Sequence, residues 1–214
     1  MTGLGEPPPD CERCDRLASF RTDNRTAHAD WFNAPVPSFG GEDARLLIVG
    51  LAPGLQGANR TGRPFTGDYA GDLLYATASK FGFAKGIYDG RADDDFELVD
   101  CMVTNAVRCV PPKNKPTGPE IANCRSFLEE RISSLPRLEV TLALGRIAHD
   151  SVLAAFGLRK SAHPFGHGHR HAPVGRFVLF DSYHCSRYNT NTGRLTVEMF
   201  ESVFSEIRQV LDKR

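Results

Sequence analysis

The chain has no net charge, no long hydrophobic run and no internal repeat, and each absence closes off a class of protein. Its 214 residues carry 26 Lys+Arg against 26 Asp+Glu. That parity argues against a basic tail or a simple nucleic-acid coat protein. No stretch approaches the roughly 20 apolar residues that a membrane span requires, so no membrane association is expected. The opening MTGLGEPPPD is acidic and proline-rich, unlike a secretory signal, and a cytoplasmic protein is expected. Hydrophobic residues at 41% and charged residues at 24% are ordinary globular usage. Collagen-like, coiled-coil and disordered classes drop out, and one core in a single domain over residues 1–214 is expected.

The zero charge is a sum over opposed segments. From Asp89 to Asp100, six acidic residues face only Arg91. From Arg159 to Arg194 the sign reverses: Arg159, Lys160, Arg170, Arg176, Arg187 and Arg194 face only Asp181, and five of the seven histidines lie there. Such a face can meet phosphates although the whole molecule is neutral.

Short apolar runs alternate with helical patterns. Leu46–Val49, Leu98–Thr104, Val140–Leu144 and Phe177–Phe180 read as strands buried on both faces. Helices are predicted over Asp68–Phe81, Pro119–Ser133, Arg146–Phe156 and Leu195–Leu211. In the second, Thr117 and Glu120 have capping-box spacing; the last carries Leu195, Met199, Val203, Ile207 and Leu211 on one stripe. The alternation predicts an α/β protein, a three-layer α/β/α sandwich around a mainly parallel four-stranded sheet. Residues 1–40, rich in Pro, Asp and Arg, read as an irregular N-terminal wrap.

Six cysteines in a chain expected to sit in a reducing compartment point to metal or cluster ligation before disulfides. Cys11 and Cys14 form a C-x2-C pair, and Cys109 and Cys124 lie further apart. Zinc sites commonly show two short knuckles, whereas only one pair here is closely spaced.

An open parallel sheet binds ligands beyond the carboxyl ends of its strands. There this sequence places Gly50-Leu51-Ala52-Pro53-Gly54, then Gly57 to Asp68 (GANRTGRPFTGD), Asn105, Gly145-Arg146, and His184-Cys185-Ser186 followed by RYNTNTGRLT. In these motifs, over Cys11 to about Thr196, the sequence resembles the uracil-DNA glycosylase superfamily, its iron-sulfur branch and most of all the fifth family, or type B. The long first motif is highly specific; H-C-S alone would mean little. The resemblance implies a glycosylase that removes uracil, and bases such as hypoxanthine or hydroxymethyluracil, from double-stranded DNA, leaving an abasic site. It implies a [4Fe–4S] cluster on Cys11, Cys14, Cys109 and Cys124, and a monomer is expected. Three departures stand out. The fourth family carries a catalytic acid where Leu51 stands; the fifth usually has Ala at 54 and Pro at 185, where this chain has Gly54 and Cys185.

Residue chemistry assigns the roles. Cleaving a base from deoxyribose leaves an oxocarbenium-like sugar and an anionic base, so opposite charges need stabilising on opposite sides. Asp68 is the candidate carboxylate facing the sugar and activating water, with helix capping as its competing duty. His184 is placed to donate to the base oxygen where charge develops. Asn105 carries a donor and an acceptor for the edge of an extruded base, and Phe65 a face for stacking, worth ~1–3 kcal/mol. Gly50, Leu51, Ala52 and Gly54 would bring backbone close to the substrate, with Gly50 serving the strand turn and Gly54 widening the pocket. Ser186, Arg187, Tyr188 and Arg194 are the expected DNA contacts, in a loop that fills the space of the extruded nucleotide. Two other readings remain open: a non-catalytic or uracil-trapping damaged-DNA binder, and a zinc-stabilised nucleic-acid module. The trapping relative carries a basic insertion ending in His after the first motif, and none lies between Gly54 and Asp68.

Overall fold

The computed structural model describes residues 4–213. Along the chain run α1 (Asp15–Ala27), β1 (Phe39–Gly40), β2 (Leu46–Gly50), α2 (Ala58–Thr61), α3 (Tyr69–Lys80), β3 (Ala84–Lys85), β4 (Glu97–Leu98) and β5 (Cys101–Asn105). Then follow α4 (Gly118–Ser134), β6 (Val140–Leu144), α5 (Arg146–Ala155), β7 (Val178–Ser182), α6 (Arg187–Asn191) and α7 (Val197–Asp212).

The main sheet has the order β1-β5-β2-β6-β7. Its strands β5, β2, β6 and β7 are parallel, as expected, and β1 adds a fifth, antiparallel edge strand. At two residues β1 is too short to leave a periodicity in the sequence. Every residue of the four parallel strands is buried, which explains their unbroken apolar runs. Successive side chains go to opposite faces. Leu46, Ile48, Val103, Leu142 and Phe180 pack toward α3 and α7; Leu47, Val49, Met102, Ala143 and Leu179 pack toward α4 and α5. The result is the three-layer sandwich.

Three expectations need correction. The first forty residues contain a helix of 13 residues, α1. No Gly or Pro interrupts Asp10–Ala34, and Leu17, Arg21 and Asn24 give α1 a buried face. The run Leu98–Thr104 is two strands, because Asp100 turns the chain at φ +54° and its carboxylate accepts from the Arg45 Nε at 2.7 Å. The segment after His184 is a short helix, α6, capped by the Ser186 hydroxyl, which accepts from the Asn189 amide. The expected capping box at Thr117 and Glu120 is present, with the Thr117 amide donating to Glu120 Oε2 at 2.7 Å.

Candidate active site

The carboxyl ends of β2 and β5 open into a cavity of about 660 Å³. Leu51, Ala52, Gly54, Phe65, Asp68, Asn105, His184, Ser186 and Arg187 all line it. Gly50 lies beneath, as the last residue of β2 rather than in a turn. A Cβ there would stand 2.4 Å from Asn105 Oδ1 and 2.6 Å from Phe65 Cζ, so only glycine lets amide and ring meet over the strand end.

Asp68 does cap α3, and one oxygen does all of it. Oδ1 accepts from the amides of Ala70 and Gly71 at 3.1 and 3.2 Å. Oδ2 accepts from no described residue and faces the glycine loop, where a Cβ at Gly54 would come within 3.1 Å of it. A Cβ at Gly57 would come closer still, to 2.6 Å, so the bare backbone of this loop keeps the oxygen clear. Burial raises the Asp68 carboxyl above its ordinary range, against the pull of the two amides. Asn105 is 3% exposed, and its buried Oδ1 has no hydrogen-bond partner among the described residues. Such a group is costly unless a ligand satisfies it. The Phe65 ring lies 5.8 Å from the His184 ring at 27°, forming one wall. Burial pushes the His184 imidazole down to about 4, so it is neutral at pH 7.

Several residues to which the sequence reading gave no role hold this wall. Phe65 sits at φ +52°, a conformation L side chains rarely adopt, and its surroundings enforce it. Tyr88 Oη donates to the Phe65 carbonyl at 3.2 Å and accepts from the Gly67 amide at 3.3 Å; Tyr75 Oη donates to the Pro64 carbonyl. Arg63 is clamped by Asp94 through two hydrogen bonds of 2.6 and 2.8 Å. Asn189 donates to the His184 carbonyl at 2.8 Å. Cys185 is fully buried, its thiol donates to the Ala70 carbonyl at 3.3 Å, and burial raises its pKa, so it anchors a loop and is no nucleophile.

The proposed DNA contacts divide. Arg187 lies 5.3 Å over the Tyr69 ring at the cavity rim, and Tyr188 is 72% exposed. Arg194 is not in this cavity; it lies in a neighbouring cleft, stacked over Tyr183.

Cys11, Cys14, Cys109 and Cys124 surround a small apolar hollow between α1 and α4, with Leu17, Val107 and Phe127. N–H groups point at three of the sulfurs: the Arg108 amide at Cys124 (3.4 Å), Asn123 Nδ2 at Cys14 (3.6 Å) and Arg21 Nη1 at Cys109 (3.8 Å). Burial raises the Cys14 thiol and pushes Cys109 up to about 12 and Cys124 to about 11. Beside them Arg108, 1% exposed, is paired with Glu6, which also binds Arg131 at 2.8 Å, fixing the N-terminal segment to α4.

The fold is that of an α/β protein with its cavity beyond the carboxyl ends of the parallel strands. Residues 37–208 match the model of the uracil DNA glycosylase superfamily. The chain is 47% identical over 206 residues to the type-5 uracil-DNA glycosylase of Thermus thermophilus, covering 94% of this chain and 93% of that protein. It is 40% identical over 197 residues to the type-5 enzyme of Pyrobaculum aerophilum, covering 90% and 85%. The type-4 uracil-DNA glycosylase of Sulfurisphaera tokodaii is 30% identical over 200 residues, covering 90% and 78%. The chain belongs to the uracil-DNA glycosylase superfamily, and within it resembles the type-5 members.

Proposed function

We propose that the protein is a monofunctional DNA glycosylase that hydrolyses the bond between uracil and deoxyribose in double-stranded DNA and leaves an abasic site. The observation that carries this reading is the pairing, in one cavity, of a carboxylate with one unengaged oxygen and an amide with an orphaned buried one. The extruded base enters against the Phe65 face and its edge pairs with Asn105, which relieves the unpartnered Oδ1. As the C1′–N bond breaks, the electron pair leaves with the base. Neutral His184 donates an N–H to the base oxygen that becomes negative, and the Asp68 carboxylate stabilises the cationic sugar. Water adds to C1′, giving its proton to Asp68 Oδ2, while Oδ1 keeps the carboxylate fixed on α3. A volume of about 660 Å³ leaves room for a larger deaminated base such as hypoxanthine, consistent with a range beyond uracil.

The four cysteines suit a [4Fe–4S] cluster. Their N–H donors match thiolate sulfurs, and a bound cation would stabilise thiolates that burial otherwise disfavours. A tetrahedral zinc, with Zn–S of ~2.3 Å, would draw its sulfurs to about 3.8 Å apart. When bound, the cluster would cross-link α1, α4 and the segment after β5; no step of excision runs through it. Iron and acid-labile sulfide in a brown preparation would support this reading, and a colourless zinc-loaded protein would overturn it.

The test of function is a uracil-containing duplex treated with alkali after incubation: strand breaks at the uracil are expected, and tight binding without breaks would defeat the reading. Asp68→Asn should lower single-turnover excision about 10²–10⁴-fold. Asp68 acts only when ionised, so excision by the unaltered protein should fall with decreasing pH at a value above the ordinary ~3.9 for Asp. A limb at or below that value would remove Asp68 from the role.

A further inference from the structure

Across His184 from the base cavity lies a second cleft, of about 260 Å³. Two guanidinium groups face it. That of Arg194 lies 4.5 Å over the Tyr183 ring, and that of Arg146 lies 5.5 Å over the Phe165 ring. The two rings are 6.2 Å apart, so the cations are carried on adjoining aromatic platforms. A guanidinium held over an aromatic ring loses rotational freedom while keeping N–H donors for a tetrahedral oxyanion. Neither arginine has a carboxylate partner among the described residues, and no acidic side chain lines the cleft. Gly145, the N-cap of α5 with no side-chain cap of its own, closes one end, adding the partial positive charge of a helix terminus.

We propose that this cleft binds one backbone phosphodiester of the DNA strand whose nucleotide enters the base cavity. This rests on the glycosylase reading above and gives a role to Arg146, which the sequence reading placed at a strand end without assigning it one. His184 forms a wall of both spaces. A strand that places a base on one side of His184 must carry a neighbouring phosphate past the other. Arg187 and Arg194, seven residues apart in the sequence, then serve different phosphates: Arg187 at the cavity rim, Arg194 with Arg146 in the cleft.

A phosphate walk tests this. Duplexes carrying an uncleavable fluorinated deoxyuridine are made with one neutral methylphosphonate linkage at each position flanking it, and binding is measured to the whole protein and to Arg146→Ala. In the unaltered protein one linkage beside the uridine should weaken binding about tenfold, the loss of a charge-assisted contact. In Arg146→Ala that penalty should shrink toward none while penalties elsewhere persist, and the slope of log K against log salt should fall by about 0.9. Arg146→Lys should keep the slope and lose part of the affinity. A methylphosphonate profile unchanged in Arg146→Ala, or lowered evenly at every linkage, overturns the assignment. Both arginines are exposed, so the variants should melt with the parent. If the parent fails to excise uracil from an ordinary duplex, the glycosylase reading falls; if it excises and only the profile fails, the cleft alone is wrong.

Discussion

The acidic segment 89–100 and the basic segment 159–194 carry nearly equal and opposite formal charge, and the fold treats them in opposite ways. The acidic side chains are mostly engaged within the protein. Asp94 holds Arg63, Asp100 holds Arg45, Asp93 holds Arg91, Glu97 holds Lys85, and Asp95 accepts from the Ile87 amide. In the basic segment Lys160 pairs with Asp150, and Arg176 donates to carbonyls at the end of α4. Asp181, its only acid, binds His149 and His171, each at 2.8 Å. His149 faces two acceptors, Asp181 and the His163 carbonyl, and the bond to Asp181 raises its pKa against the opposing pull of burial. The histidines at 149 and 171 are therefore part of the scaffold. Arg187 and Arg194 lack carboxylate partners among the described residues and stay available. The two segments differ in how far their charges are already answered within the protein.

The sharpest way to break this contrast is Asp94→Ala. It strips the partner from an Arg63 that is 6% exposed, and leaving such a charge unanswered should cost about 3–5 kcal/mol in urea unfolding. Excision should suffer with stability, because Arg63 belongs to the loop that carries Phe65 and Asp68. If Asp94→Ala unfolds with the parent, the acidic segment is ordinary surface. The same pair gives a pH signature. Arg63 holds the Asp94 carboxyl down to about 2, so its contribution is complete above the unfolded value of ~3.9 and is lost as the pH falls toward 2. Acid titration of the unfolding midpoint should lose this step in Asp94→Asn.

On the basic side Arg187→Ala should leave the melting temperature in place, weaken duplex binding and flatten the salt slope by about 0.9. An unaltered slope would put Arg187 off the DNA. The smallest effect belongs to Asp93→Asn, which should change neither melting nor binding, since its ion pair with Arg91 lies in solvent.

Much of the sheet was legible because buried parallel strands leave unbroken apolar runs, and much of the candidate site because Asn105 and His184 lie at strand ends and Asp68 closes the long loop after β2. What stayed hidden has a common physical cause. Tyr88, Asp94 and Asn189 act through partners fixed by tertiary packing, as with Arg63 and Asp94, 31 positions apart, and such pairs leave no local period. Arg146 looked like a helix start, and only the fold sets it across from Arg194. Gly50 read as a turn residue because nothing in the sequence says that an amide and a ring will press on it from either side.

Cys185 stands where the family resemblance leads one to expect proline. A proline stiffens its chain in the unfolded ensemble as well as in the native one, whereas a thiol bonded to the Ala70 carbonyl acts only while α3 is docked. The loop that presents His184 in this protein thus borrows its order from the helix that presents Asp68. On heating, the two halves of the proposed reaction centre should lose register together, and activity should vanish with the docking of α3 and not ahead of it.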